Sequence, residues 1–160
     1  MDFFEFMSEA IWFKDYQLSE VEPLCKTNMV EHLGIELTGL GHDHLLGTMP
    51  VDHRTTQPTG LLHGGASVAL AETLGSIAAN LCVDPERWVC VGQEINASHL
   101  RPVRKGCVTG TAKPLYLGRS SQVWEIGIVD DRQRNVCVVR LTVAVVSVGH
   151  GGGELKLSDK

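Results

Sequence analysis

The sequence predicts an α+β fold in which a six-stranded antiparallel sheet wraps around one long central helix. Three observations carry that prediction. One stretch, residues 64–81, is apolar or small nearly all the way round a helical projection, and a helix of that kind is buried. Six segments with strand character flank it, two before and four after. The turns between the later segments are short, which calls for antiparallel neighbours in a meander.

In chain order, the first dozen residues are aromatic and acidic and read either as a docking helix or as a frayed tail. Ser19-Glu20-Val21-Glu22 has the form of a helix start, a capping serine followed by first-turn acids, and the helix is expected to run to about Lys26. Asn28 can cap a second short turn reaching Leu33, and Gly34 can end it. Residues 35–40 alternate apolar with polar or small, and residues 45–51 follow across the hairpin turn Gly41-His42-Asp43-His44. The loop 52–62 leads into the central helix, and Asp84-Pro85-Glu86 ends the helical region. The remaining strands are expected at 88–100, 106–116, 122–129 and 136–147. The last is apolar on both faces, so it belongs in the interior of the sheet or under cover on both sides.

On the central helix, Leu70, Leu74, Ile77 and Leu81 form an apolar stripe. Gly65, Glu72 and Ser76 lie opposite, with Val68 and Ala69 on the borders. Ala66, Ala69, Ala71, Gly75, Ala78 and Ala79 keep the cylinder slim. Glu72 is therefore a lone carboxylate on a helix expected to be buried, and burying a charge is costly unless it is paired or kept for function. One sheet cannot cover a helix so uniformly apolar. A second subunit is expected to complete the cover, in a homo-oligomer that is a tetramer built from dimers.

The 160 residues suffice for one domain with a real core. A net charge of −5 without a long basic run argues against nucleic acid as the main partner, yet leaves a small anionic substrate open. Met1-Asp2-Phe3-Phe4-Glu5-Phe6 is acidic and lacks a basic n-region, so no secretory signal is expected. The longest apolar run, 136–148, is short for a bilayer and broken by Arg140, so no membrane partner is expected. Five scattered cysteines, an odd number, suit free thiols in a reducing cytoplasm better than disulfides or a zinc site. His42, His44 and His53 lie in turns. The His-x-His spacing of the first two lacks further ligands, so no metal is expected.

The segment Gln57-Pro58-Thr59-Gly60-Leu61-Leu62-His63-Gly64-Gly65-Ala66, continued by Ala71-Glu72-Thr73, resembles the hotdog-fold acyl-CoA thioesterases of the phenylacetate-type subfamily. Met49-Pro50-Val51-Asp52-His53-Arg54-Thr55, Gly92-Gln93-Glu94-Ile95-Asn96-Ala97, Lys113-Pro114-Leu115-Tyr116-Leu117-Gly118 and the strand through Trp124-Glu125-Ile126 fit as well. The resemblance covers residues 28–146. It divides the chain into an N-terminal helical extension (1–27), a thioesterase domain (28–148) and a flexible glycine-rich tail (149–160). The family fold, six antiparallel strands around a long helix in a dimer of dimers, agrees with the element order above.

Thioester hydrolysis needs attack on the acyl carbon and stabilisation of the developing oxyanion. The resemblance implies that Gln57, through its side-chain amide, and the backbone N–H of Gly64, at the helix start, polarise the carbonyl. Glu72 then acts as nucleophile or general base. Ser76, one turn on, either orients water or the carboxylate or is simply a small packing residue. His63, beside the oxyanion donor, is implied to hold the substrate or the leaving thiolate. The segments around Gly92, around His99-Leu100-Arg101-Pro102 and around Tyr116-Leu117-Gly118-Arg119-Ser120-Ser121 are implied to line the pantetheine arm and nucleotide of coenzyme A. Arg101 and Arg119 are either its phosphate partners or ordinary solvated turn residues. Thr59 stands where the family often carries a bulky aromatic, which widens the expected acyl pocket; Leu81 and Val83 are its other expected shapers.

The leading expectation is hydrolysis of aromatic or other acyl-CoA thioesters with no cofactor. Hydrolysis of a misacylated acyl or aryl carrier protein is the close alternative. A non-catalytic acyl-CoA-binding module on the same fold is an alternative of another class, and a dehydratase a third. The glutamate in thioesterase register on the helix separates the first two from the last.

Overall fold

The structure, a computed structural model, describes residues 10–148. The expectations for residues 1–9 and for the glycine-rich tail lie outside the described residues. Residues 11–13 form no helix. They are a strap: Ile11 N–H donates to His42 O (3.0 Å), the Trp12 indole N–H to Gly41 O (2.7 Å), and Phe13 N–H to Leu81 O (2.8 Å). The strap thus ties the turn at residues 41–44 to the end of the central helix.

The first expected helix is shorter than read. Helix α1 spans Leu18–Val21, and a 3₁₀ turn, Glu22–Cys25, follows it. Pro23 explains the break, since it cannot donate a helical hydrogen bond. The start is set by Gln17 rather than Ser19: the Glu20 carboxylate accepts from Gln17 N–H at 2.7 Å. Helix α2, Asn28–His32, has Thr27 at its N-cap position with no side-chain capping bond, and Asn28, the expected cap, lies inside it at φ 57°. Gly34 ends it in the left-handed region, φ 69°, as expected for a glycine stop.

The strands are β1 (Glu36–Leu40), β2 (Leu45–Val51), β3 (Trp88–His99), β4 (Gly106–Leu117), β5 (Ser121–Asp130) and β6 (Asn135–Ser147). They form one antiparallel sheet in the order β1-β2-β4-β5-β6-β3. β4, β5 and β6 form the expected antiparallel meander, and the position of β3 departs from it. β3 does not pair with β4, its successor, but with β6, and it lies at the sheet edge. The β3–β4 loop carries the chain across to the far side, where β4 pairs with β2. β6 takes the interior position that its apolar faces predict.

Helix α3, Gly64–Leu81, fills the concave face of the sheet. It buries Ala66, Ser67, Leu70, Ala71, Leu74, Gly75, Ala78, Ala79 and Leu81 against Leu45, Met49, Val108, Trp124, Ile126 and Leu141. Small residues let backbone approach backbone. A Cβ on Gly110 would stand 2.6 Å from a Leu74 methyl, and one on Gly75 would stand 2.5 Å from a Leu141 methyl. Two readings of this helix change. Ile77 is half-buried, outside the fully buried stripe. Val68, Ala69, Glu72, Thr73, Ser76 and Asn80 are also half-buried, so one face of the helix is left uncovered by the chain's own sheet.

Candidate active site

Glu72 sits midway along α3 on that uncovered face and is half-buried, not fully buried as the sequence predicts. Its neighbours come from two directions. Ser76, one helical turn on, donates its hydroxyl to Glu72 Oε1 at 3.2 Å. From the sheet, Gly92 comes so close that a Cβ there would fall on Glu72 Oε1. Only a glycine lets β3 pass the carboxylate at this range. The β3–β6 register shifts between Gly92 and Glu94, a bulge that re-aims the strand beside Glu72. No cation pairs with Glu72 among the described residues.

Asn80, a residue that the sequence reading passed over, holds this arrangement. Its amide donates to Ser76 O (2.9 Å) and Cys90 O (3.0 Å), and its carbonyl accepts from Cys90 N–H (2.8 Å). It clamps the end of α3 to the start of β3. A lone amide in an apolar helix end was the available signal.

The start of α3 gathers a second set. His63 is the N-cap, and its Nδ1 accepts from Gly65 N–H at 2.8 Å, so this imidazole has a structural task besides any contact with substrate. Gly64 N–H has no hydrogen-bond partner among the described residues. It is one of the open donors that every helix start leaves, at the positive end of the helix dipole. The His99 ring packs on Gly64: a Cβ there would stand 2.8 Å from His99 Nε2. Gln57, in the loop before the helix, donates one amide hydrogen to Thr59 Oγ1 at 2.9 Å, leaving the other free. That loop is fixed by Leu62 N–H to Val103 O (2.7 Å) and His63 N–H to Thr55 O (2.8 Å).

The two sets are far apart within one chain. Eight residues of helix separate Gly64 from Glu72, about 12 Å of helical rise. One acyl group cannot touch both. The residues expected to line the coenzyme divide the same way. Leu100, Arg101 and Pro102 are exposed and follow β3 at the end where His99 faces Cys137 of β6. Tyr116 and Leu117 end β4, Gly118, Arg119 and Ser120 form the β4–β5 turn, and Ser121 starts β5, where it faces Ala144 of β6 while Val145 N–H donates to Ser120 O. Seven strand residues of β6 separate these ends, roughly 23 Å. Gly92, opposite Val143, belongs with the turn and with Glu72. Thr59 and Leu81 lie near opposite ends of α3, so they do not share a pocket within one chain either.

No group of three or more His, Cys, Asp or Glu side chains placed to hold a metal occurs among the described residues. His44 and Asp43 instead pair with each other at 2.7 Å in the β1–β2 turn. All five cysteines are free thiols. Burial pushes Cys82 up to about 12 and Cys90 to about 11, so both stay protonated. No helix among the described residues is long and apolar enough to cross a membrane.

A family model described as the thioesterase superfamily matches residues 59–137. The 1,4-dihydroxy-2-naphthoyl-CoA hydrolase of Escherichia coli is 50% identical over 136 residues, which is 85% of this chain and 99% of that protein. The proofreading thioesterase EntH of Cronobacter turicensis is 54% identical over 136 residues, 85% of this chain and 98% of that protein. The crystal structure of a thioesterase from Haemophilus influenzae superposes with a TM-score of 0.85 at 50% identity, covering 89% of this chain and 99% of the other. With the sheet wrapped around α3 and these likenesses over nearly the whole length of each relative, the chain belongs to the thioesterase superfamily and is a hotdog-fold thioesterase.

Proposed function

We propose that this enzyme is a cytoplasmic hydrolase of acyl-CoA thioesters, aromatic ones included, and that each site is shared between two copies of the chain. The observation that carries the proposal is the half-buried Glu72 carboxylate. It has no cationic partner among the described residues, rests on Ser76 and Gly92, and lies on a helix face its own sheet leaves open. A charge held this way has no packing purpose. The name of the naphthoyl-CoA hydrolase among the relatives supports an aromatic acyl group.

The oxyanion donors, Gln57 and Gly64 N–H, are too distant from Glu72 of the same chain to serve the same carbonyl. Antiparallel pairing of two β3 edges about a two-fold axis near the middle of the strand removes the conflict. It brings the end of β3 that carries His99, with Gly64 of α3 packed against it, toward the partner's Gly92 and Glu72, and it covers the open face of α3. Val91, 45% exposed on β3, supports such a contact. Two such dimers back to back make the tetramer.

In this site the carbonyl oxygen accepts from Gly64 N–H and the free Gln57 amide hydrogen, and negative charge develops there as the carbon is attacked. Glu72 of the partner subunit attacks directly or takes a proton from the attacking water. With water as the attacker, the C–S bond breaks and the water oxygen ends in the carboxylic acid. With the partner's Glu72 as the attacker, the C–S bond breaks to give a mixed anhydride with the Glu72 carboxylate, which a water then hydrolyses to the acid and free Glu72. On both routes the thiolate leaves and is protonated. Arg101 of the chain that supplies Gly64 and Arg119 of the partner subunit bind the phosphates of the coenzyme.

Release of free thiol from a panel of acyl-CoAs and an acyl carrier protein, by wild type and Glu72→Gln, tests the reading. Glu72→Gln is expected to lower kcat at least about a hundredfold with little change in KM. A variant that keeps near wild-type kcat overturns the role of Glu72. Turnover of the carrier protein alone moves the substrate class to the carrier-bound thioester.

A further inference from the structure

His99 is exposed, yet one of its ring nitrogens is engaged from inside the protein. His99 and Cys137 are directly opposed on β3 and β6, and Cys137 Sγ lies 3.5 Å from His99 Nδ1. Cys137 is 0% exposed. Burial pushes its thiol up, so it keeps its proton at neutral pH and has a hydrogen to donate. Its other available acceptor, Val138 O, is farther, at 4.0 Å. A thiol that donates to Nδ1 puts the proton of the neutral imidazole on Nε2. That nitrogen is the ring atom nearest to where a Gly64 side chain would begin, beside the open amide of the helix start.

We propose that Cys137 is a positioning residue: its buried S–H donates to His99 Nδ1 and thereby fixes the Nε2–H tautomer and the ring plane against Gly64. His99 then presents a donor on the same wall as the Gly64 amide, aimed at an oxygen acceptor of the bound substrate. The opposite tautomer would turn a lone pair toward that oxygen and repel it. The requirement for glycine at position 64 follows, because any side chain would displace the ring. This role in substrate binding rests on the site reading above; the tautomer itself does not.

Three variants test it: Cys137→Val, which is close in volume but has no donor, Cys137→Ser, which keeps the donor, and His99→Gln. Long-range ¹H–¹⁵N spectra of histidine-labelled protein, with His99 assigned by its loss in His99→Gln, report the tautomer. The expected result is Nε2–H alone in wild type and Cys137→Ser, and a mixture or a shifted ring in Cys137→Val. With an acyl-CoA substrate, Cys137→Val should raise KM about three- to tenfold, the worth of one neutral hydrogen bond, with kcat nearly unchanged. Cys137→Ser should stay within about twofold of wild type. In the His99→Gln background, Cys137→Val should have no further effect on KM.

An Nδ1–H tautomer in wild type overturns the proposal, as does an effect of Cys137→Val that persists without His99. So does a KM for Cys137→Val equal to that of wild type. Should Cys137→Val not fold, the wild-type tautomer and the Cys137→Ser kinetics still decide the matter. The predicted tautomers alongside a fully active Glu72→Gln would mean that the site reading has failed while the tautomer assignment holds.

Discussion

Mixing two inactive variants is the sharpest test of a site divided between subunits. Glu72→Gln removes the carboxylate half, and Gln57→Ala removes a donor from the other half. Within one chain the helix holds Gly64 and Glu72 about 12 Å apart, far beyond the roughly 3 Å reach of groups acting on one carbonyl. Each variant alone should lose about a hundredfold in kcat. If the two are unfolded and refolded together in equal amounts, about half of the dimers are mixed, by random pairing through a two-fold interface. Each mixed dimer has one site that joins the intact Glu72 of one chain to the intact Gln57 of the other, and one site that lacks both. Activity should therefore recover to about a quarter of wild type, more than ten times that of either variant refolded alone. The assay is thiol release at saturating acyl-CoA, with equal total protein in each sample. Recovery no greater than the mean of the two variants would refute the shared site. It would also mean that the open face of α3 has another purpose.

Three further outcomes are expected. Arg119→Ala should raise KM for coenzyme A substrates about tenfold, with little effect on a truncated pantetheine thioester, and the difference should shrink at high salt because the residue is exposed; equal effects on both substrates would make Arg119 a turn residue. Gly92→Ala places a methyl on the Glu72 carboxylate, so kcat should fall about ten- to a hundredfold, while the melting temperature shows whether the strand has moved. Arg134 holds the Asp130 carboxyl down to about 2, and Arg54 does the same for Asp52, against an ordinary 3.8. Both folded-state values are depressed, so the stability these carboxylates contribute is complete above about 4 and is lost as pH falls through about 2. Thermal melts from pH 7 to pH 2 should show this loss, with a shallower acid limb in Asp130→Asn; an unchanged limb would count against the Arg134 pairing.

By itself the sequence determined the extent of α3, the whole of β2, the six strands to within about two residues and the interior place of β6. Periodicity records burial, and burial on a helix or strand is a local property of spacing. The same logic exposed Glu72 and the glycine-rich helix start, because a charge in apolar company and a run of small residues are visible without coordinates. Only the tertiary structure decided that β3 pairs with β6, because strand partners are chosen by the path of the β3–β4 loop across the sheet, and the turn itself does not encode that path. The contact of Cys137 with His99, 38 positions apart, depends on that same pairing, as does the approach of Gly92 to Glu72. The division of the site into two distant sets was also hidden. Residue types announce chemistry, but whether two of them can reach one atom depends on the rise of the helix and the length of the strand between them.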